Sequence, residues 1–262
     1  MTATREILWN IGSAPVLALY ILMFIPFAVL AFGLARRAKM WLQGQPDELR
    51  TGQWGERVKT ALTKSILHGR IIRFNKLYAG IMHALIFGGF MILFAGTLIV
   101  LLEEDISVPW FGYSFYRGDF YLGYKLVVNL GGVMLIAGVL MAFARRYLIK
   151  PPYQETATDD QLVLVYLLLL AVQGFVVQAL RLAVEGDPWG PWSWVSYPMS
   201  LPLAALSEDT LRALHTANWI AHFATTYVLL MAVIGPIAAR VVEPIARAVG
   251  ARRTSEQPAT SP

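Results

Sequence analysis

The chain has 262 residues, a net charge of +5, no cysteine, 56% hydrophobic residues and only 15% charged ones. A soluble domain is about 45–50% apolar with roughly 25% charged residues. Here the apolar excess is gathered into five long runs, which excludes an ordinary soluble domain and points to a polytopic membrane protein. The lack of cysteine excludes a disulfide, an iron–sulfur cluster of the chain's own, a c-type haem attachment and a thiolate zinc site. There is no glycine-rich phosphate loop after a strand, no serine elbow and no HExxH motif. The basic balance does not point to nucleic acid, and any chemistry has to come from a bound cofactor or from partners.

Taken in chain order, Arg5 and Glu6 precede the first apolar run, 14–35. That run is too long for a signal-peptide core and no small-residue cleavage site follows it, so it is predicted as a span. The connector to the second run carries ten basic residues between Arg36 and Lys76. A surface helix is predicted over 56–72, either a basic lipid-facing helix or a docking surface for a cytoplasmic subunit. The remaining spans are predicted at 77–102, 120–143, 162–184 and 211–239. Each reaches the about 20 residues needed to cross the hydrocarbon core, and lipid admits such runs only as helices. Arg145, Arg146 and Lys150 lie between spans three and four, and Arg240, Arg247, Arg252 and Arg253 follow span five. This asymmetry predicts the N-terminus outside and the C-terminus inside. The outer loops are acidic and aromatic, and Pro188, Pro191, Pro198 and Pro202 predict an irregular last outer loop. The fold class expected is all-α, a single five-helix membrane domain over 1–250, with a disordered cytoplasmic tail at 251–262. No internal repeat supports an inverted-repeat transporter.

Ionisable residues inside spans are costly and mark function by default. The four histidines are His68, His83, His215 and His222. His83 and His222 lie within apolar runs, His215 just inside the outer edge of the fifth, and His68 at the cytoplasmic approach to the second. His215 and His222 are about two turns apart and share a helix face, with Asn218 between them. Gly88, Gly89 and Gly96 follow His83; they admit either a flat ring or a close helix neighbour. Imidazoles without cysteine or carboxylate beside them suit low-spin haem iron better than zinc or a di-iron pair. A satisfied buried histidine is the plainer alternative. Lys125 and Asn129 share a face of span three. Lys125 either snorkels to the interface or contacts a haem propionate or a quinone carbonyl, and Arg181 has the same two readings. Gln173 and Gln178 are candidate hydrogen bonds between helices. Glu103, Glu104 and Asp105 form either a solvated loop or a group that collects protons from a quinol.

Several stretches carry a family resemblance. They are Leu67-His68-Gly69-Arg70-Ile71-Ile72-Arg73, the run AGIMHALIFGGF from Ala79 to Phe90, FYLGY from Phe120 to Tyr124, and the pattern Leu214-His215 to Trp219 to His222. They resemble the membrane cytochrome b family similar to the gamma subunit of respiratory nitrate reductase. The nearest branch accompanies heterodisulfide-reductase-like iron–sulfur proteins and includes electron-transfer-flavoprotein:menaquinone oxidoreductases. The resemblance covers roughly 67–236. It implies b-type haem, one or two, held by histidines of spans two and five, and a quinone site near the outer face. It also implies a cytoplasmic iron–sulfur or electron-transfer-flavoprotein partner and a place in a bacterial or archaeal cytoplasmic membrane. By position, His83 matches the first span-two ligand and His222 the first span-five ligand. The family's second span-two histidine, ten residues on, is Leu93 here, and 237–242 holds no histidine. On straight helices His83 and His222 differ in depth by roughly 15 Å. They either meet through tilt or a kink, or bind different haems with His215 and His68 as further ligands, or one of them is no ligand.

The function expected is that of a haem b-containing membrane subunit of a respiratory oxidoreductase. It carries electrons between membrane quinone or quinol and a cytoplasmic iron–sulfur or flavoprotein partner. The candidate ligands are His83, His222, His215 and His68. Lys125, Asn129 and Arg181 are candidate contacts for a propionate or a quinone, with the quinone placed around Glu103, Lys125 and Arg181. The alternative is a haem-free membrane anchor that docks a soluble redox enzyme.

Overall fold

The computed structural model describes residues 2–43, 53–63, 77–152 and 158–255. Among them every regular element is helical, and they divide into two compact units. His68 and most of the surface helix predicted over 56–72 lie outside the described residues, as do 256–262.

One unit contains α1 (Ser13–Leu42) and the last helix from Thr226 onward. Apolar side chains cover the outside of α1, with Phe24 78% exposed. This is the surface that a hydrocarbon solvent accepts and water does not.

The other unit comprises 2–12 and 53–225. α2 (Trp54–Ala61) is short and exposed. α3 (Leu77–Leu101) runs on through a π-helical turn, Leu102–Ser107, into α4 (Val108–Phe111). Pro109 falls just past the π-helical turn of this continuous stretch, where the regular hydrogen-bond ladder is already interrupted. Gly112, with φ of 60°, ends it in the left-handed conformation that a residue without Cβ adopts freely. α5 (Gly118–Ala144) ends in a π-helical turn, Arg145–Ile149. α6 (Thr158–Glu185) follows, then a 3-10 turn at Gly190–Trp192, α7 (Ser196–Leu203) and α8 (Glu208–Ser255). The last outer loop is therefore partly helical despite its prolines; Pro198 falls in the first turn of α7, where proline costs least. α8 continues five residues past Gly250 into the stretch expected to be disordered.

Among the described residues four helical stretches, Ser13–Met40, Leu77–Phe111, Gly118–Ile149 and Asp160–Glu185, are long and apolar enough to cross a membrane. The chain is thus a multi-pass membrane protein. α3 and α5 meet along a seam of glycines. A Cβ on Gly89 would lie 2.5 Å from the Leu135 amide nitrogen and 2.7 Å from the Gly131 carbonyl oxygen, and one on Gly138 would lie 2.7 Å from the Ile86 nitrogen. Gly88 and Gly96 face Met134 and Val128 of α5 in the same way. Of the two uses open to these glycines, close helix packing is the one observed.

Candidate functional site

Within this unit α3, α5, α6, α8 and the N-terminal segment line a cavity of about 370 Å³, a size typical of small-molecule pockets. α8 presents His215, Trp219 and His222 to it, the i, i+4, i+7 spacing of one helix face. Leu93 and Thr97 of α3 line it, with Tyr124, Asn129 and Gly132 of α5 and Gly174, Gln178 and Arg181 of α6. The Phe175 ring lies so near Gly132 that a Cβ there would come within 2.5 Å of it.

The two histidines are fixed by their neighbours. His222 hydrogen-bonds the backbone of Leu170, and its ring lies beside Gly174, where an added Cβ would sit 3.5 Å from Cε1. The Asn218 amide donates to the Gln173 carbonyl at 3.0 Å and pins α8 to α6 between the two histidines. His215 is buried, its ring edge-on to Trp9 at 4.9 Å. Its Nδ1 has no hydrogen-bond partner among the described residues.

Behind the cavity wall lies a buried polar network. Lys125 Nζ donates to Asp187 Oδ2 at 2.8 Å and to the Trp189 carbonyl at 2.7 Å. Arg181 donates to Glu185 and lies 3.8 Å from Asp187. Asn129 donates to Gln178 at 3.2 Å and accepts from the Val195 amide, while Gln178 donates to Ser193 at 2.9 Å. Lys125 is 1% exposed, so it does not snorkel. Gln178 does link helices, as its position suggested. Glu103 is neither solvated nor free to collect protons: it is buried, and its Oε2 accepts the amides of Phe115 and Tyr116 at 3.0 and 3.3 Å.

The structure thus gathers His215, His222, Asn129 and Arg181 around one cavity, with Lys125 one layer behind. His83 is not brought there; it is exposed on α3 and stacks with Phe87 at 6.3 Å. The N-terminal segment and Asp187 are members of the site that sequence reasoning missed. The segment shows no periodicity, and Asp187 stands among loop acids that look alike in sequence. Burial pushes the Tyr116 phenol well above its usual range, so it stays neutral beside the Arg5 guanidinium, 5.6 Å from its ring centre.

Fold and site together define a helical membrane protein with imidazole, amide and guanidinium groups around one cavity. The chain is 26% identical over 228 residues to the EtfAB:quinone oxidoreductase of Syntrophomonas wolfei, covering 81% of this chain and 30% of that protein. It is 23% identical over 259 residues to a subunit of the dihydromethanophenazine:CoB–CoM heterodisulfide reductase of Methanosarcina barkeri, covering 88% of this chain and 95% of the relative. The subunit of the same name in Methanosarcina acetivorans is 24% identical over 67% of this chain and 64% of its own length. No protein-family model and no solved structure matches the chain. The chain is a distant relative of proteins in the two groups to which its sequence resemblance points, and it spans under a third of the first of them.

A haem clamped between two imidazoles needs them on opposite sides of the ring. His215 and His222 lie on one wall, about 10 Å apart along α8 at 1.5 Å per residue, so they cannot share an iron. The facing wall has Leu93 and Thr97 and no histidine. The described residues therefore offer a haem in this cavity one axial imidazole.

Proposed function

We propose that the chain is a quinone-linked electron-transfer subunit whose cavity holds the redox ring. In this reading His222 would hold a b-type haem, with His215 as second candidate. The haem supplies one-electron chemistry when bound. The protein's part is to orient the imidazole. The observation that carries the reading is the His215–Trp219–His222 face on a cavity whose other walls hold Asn129, Gln178 and Arg181. The backbone hydrogen bond of His222 supports it further, because ligand histidines are commonly oriented through their other ring nitrogen. His83 and His68 belong to this reading only as ligands of a separate site.

The membrane quinone is the proposed substrate, in line with the name of the Syntrophomonas wolfei relative. The partner proposed is a cytoplasmic iron–sulfur or electron-transfer-flavoprotein component. Two relatives are named as a subunit of a larger reductase, and the third is a much longer polypeptide. α8 is proposed as the fifth span, with the N-terminus outside and the basic connectors inside, in a bacterial or archaeal cytoplasmic membrane.

The test is spectral. Purified protein should show a haem Soret band that shifts on reduction with dithionite, and pyridine should extract the haem as non-covalent b-type haem. Haem-free protein that still supports electron transfer to its co-purifying partner would leave the chain as a membrane anchor.

A further inference from the structure

The N-terminal segment is built into the cavity. Ala3 is buried in a cluster with Tyr116 and Tyr121, and its carbonyl accepts the Gly118 amide at 2.7 Å. At the other end Asn10 donates to the Arg212 carbonyl at 2.9 Å and to Thr216 at 3.1 Å, while Thr216 donates back to the Asn10 carbonyl. Leu8 and Asn10 take left-handed φ values of 56° and 59°, the turn that brings Trp9 onto His215. Held at both ends, the segment places Arg5 on the cavity wall, on the same cavity as Arg181.

Of these two arginines, Arg5 is not matched by a carboxylate among the described residues. Lys125 and Arg181 together face Asp187 and Glu185, two cations against two carboxylates. Arg5 makes no ion pair among the described residues, and its Nε is buried without an acceptor. Arg181 is 3% exposed, and its Nε and Nη2 also lack hydrogen-bond partners. Glu6 lines the cavity too, but it is exposed and keeps its water. Buried donors without acceptors are costly, and hydrogen bonds from a charged donor are the strong ones. The cavity is therefore short of one anionic acceptor. Its walls also carry Trp9, Trp219 and Phe175, which suit a flat ring.

Resting on the quinone reading above, we propose that Arg5 and Arg181, toward the Trp9–His215 end of the cavity and two helical turns from the haem ligand proposed at His222, form an anion subsite that holds an ionised ring oxygen of a quinonoid ligand, with the N-terminal segment as its fixed wall. The probes are 1,4-naphthoquinone and its 2-hydroxy derivative, which is ionised at neutral pH. Binding to the full-length protein in lipid nanodiscs is read from quenching of tryptophan fluorescence, since Trp9 and Trp219 line the cavity. The ionised probe is expected to bind about tenfold tighter or more. Arg5→Gln should remove that preference by weakening the ionised probe more than the neutral one, and Arg5→Lys should restore part of it. Circular dichroism confirms that the variants are folded. Equal affinities in the wild type, or a preference that survives Arg5→Gln, would overturn the subsite while leaving the quinone pocket standing. Failure of both probes to bind would overturn the quinone reading and the subsite with it. Loss of haem from Arg5→Gln with unchanged discrimination between the probes would assign the arginines to a haem carboxylate and overturn the proposal.

Discussion

Lys125 Nζ and Asp187 Oδ2 lie 2.8 Å apart with their side chains 1% and 7% exposed, joining α5, two turns in from its start, to the loop that follows α6. The same lysine holds the Trp189 carbonyl, and Asp187 Oδ1 accepts the Trp189 amide at 2.8 Å. The pair thus fixes the loop as well as neutralising two buried charges. Removing one partner leaves the other charged and buried, at a cost of about 3–5 kcal/mol. Lys125→Met alone should therefore lower thermal stability sharply, and Lys125→Met with Asp187→Asn should recover much of the loss. Additive effects in a double-mutant cycle would deny the coupling.

Glu103 is expected to be a structural residue. Its carboxylate holds two backbone amides of the turn before α5, and hydrogen bonds to a charged group contribute about 1.5–3 kcal/mol each. Glu103→Ala should destabilise the fold, while Glu103→Gln, which keeps an acceptor oxygen, should lose less. Quinol oxidation by Glu103→Gln should keep its pH dependence. A displaced pH profile in that variant would restore a proton-handling role.

The seam between α3 and α5 has no room for a methyl group at Gly89, since the atoms in the way are backbone. Gly89→Ala should cost about 1–3 kcal/mol through overpacking, seen as a lower melting temperature in detergent. Gly123, where nothing lies within 4 Å of an added Cβ, is the control. Equal behaviour of Gly89→Ala and Gly123→Ala would contradict the seam.

The helices were legible because apolar length is a one-dimensional signal. The stretch expected at 77–102 matches the start of α3 and stops where Glu103 begins to look like a loop; the helix runs on because that carboxylate is satisfied by backbone amides. The shared face of His215 and His222 was legible from their spacing, and both reach the cavity. The partner of Lys125 was not, because Asp187 is 62 positions away and tertiary packing alone selects it. Arg5 and Trp9 were also hidden: a short irregular segment has no period, and only its anchors at Ala3 and Asn10 turn it into a wall.

The histidines separate by place. His222→Ala should abolish the haem signal of the cavity while the protein still inserts, because alanine costs less than histidine in an apolar helix. His83→Ala should keep that signal, since His83 is not among the cavity's lining residues and stacks on Phe87. Optical spectra of the two purified variants check both outcomes. Equal loss in both would require His83 to share the His222 haem.

The most direct measurement mixes the purified full-length protein with a reduced naphthoquinol and follows the absorption spectrum in time. The wild type is expected to develop the spectrum of reduced b-type haem, and His222→Ala to develop none. A wild-type protein that passes electrons from quinol to its partner without any haem band would contradict the account.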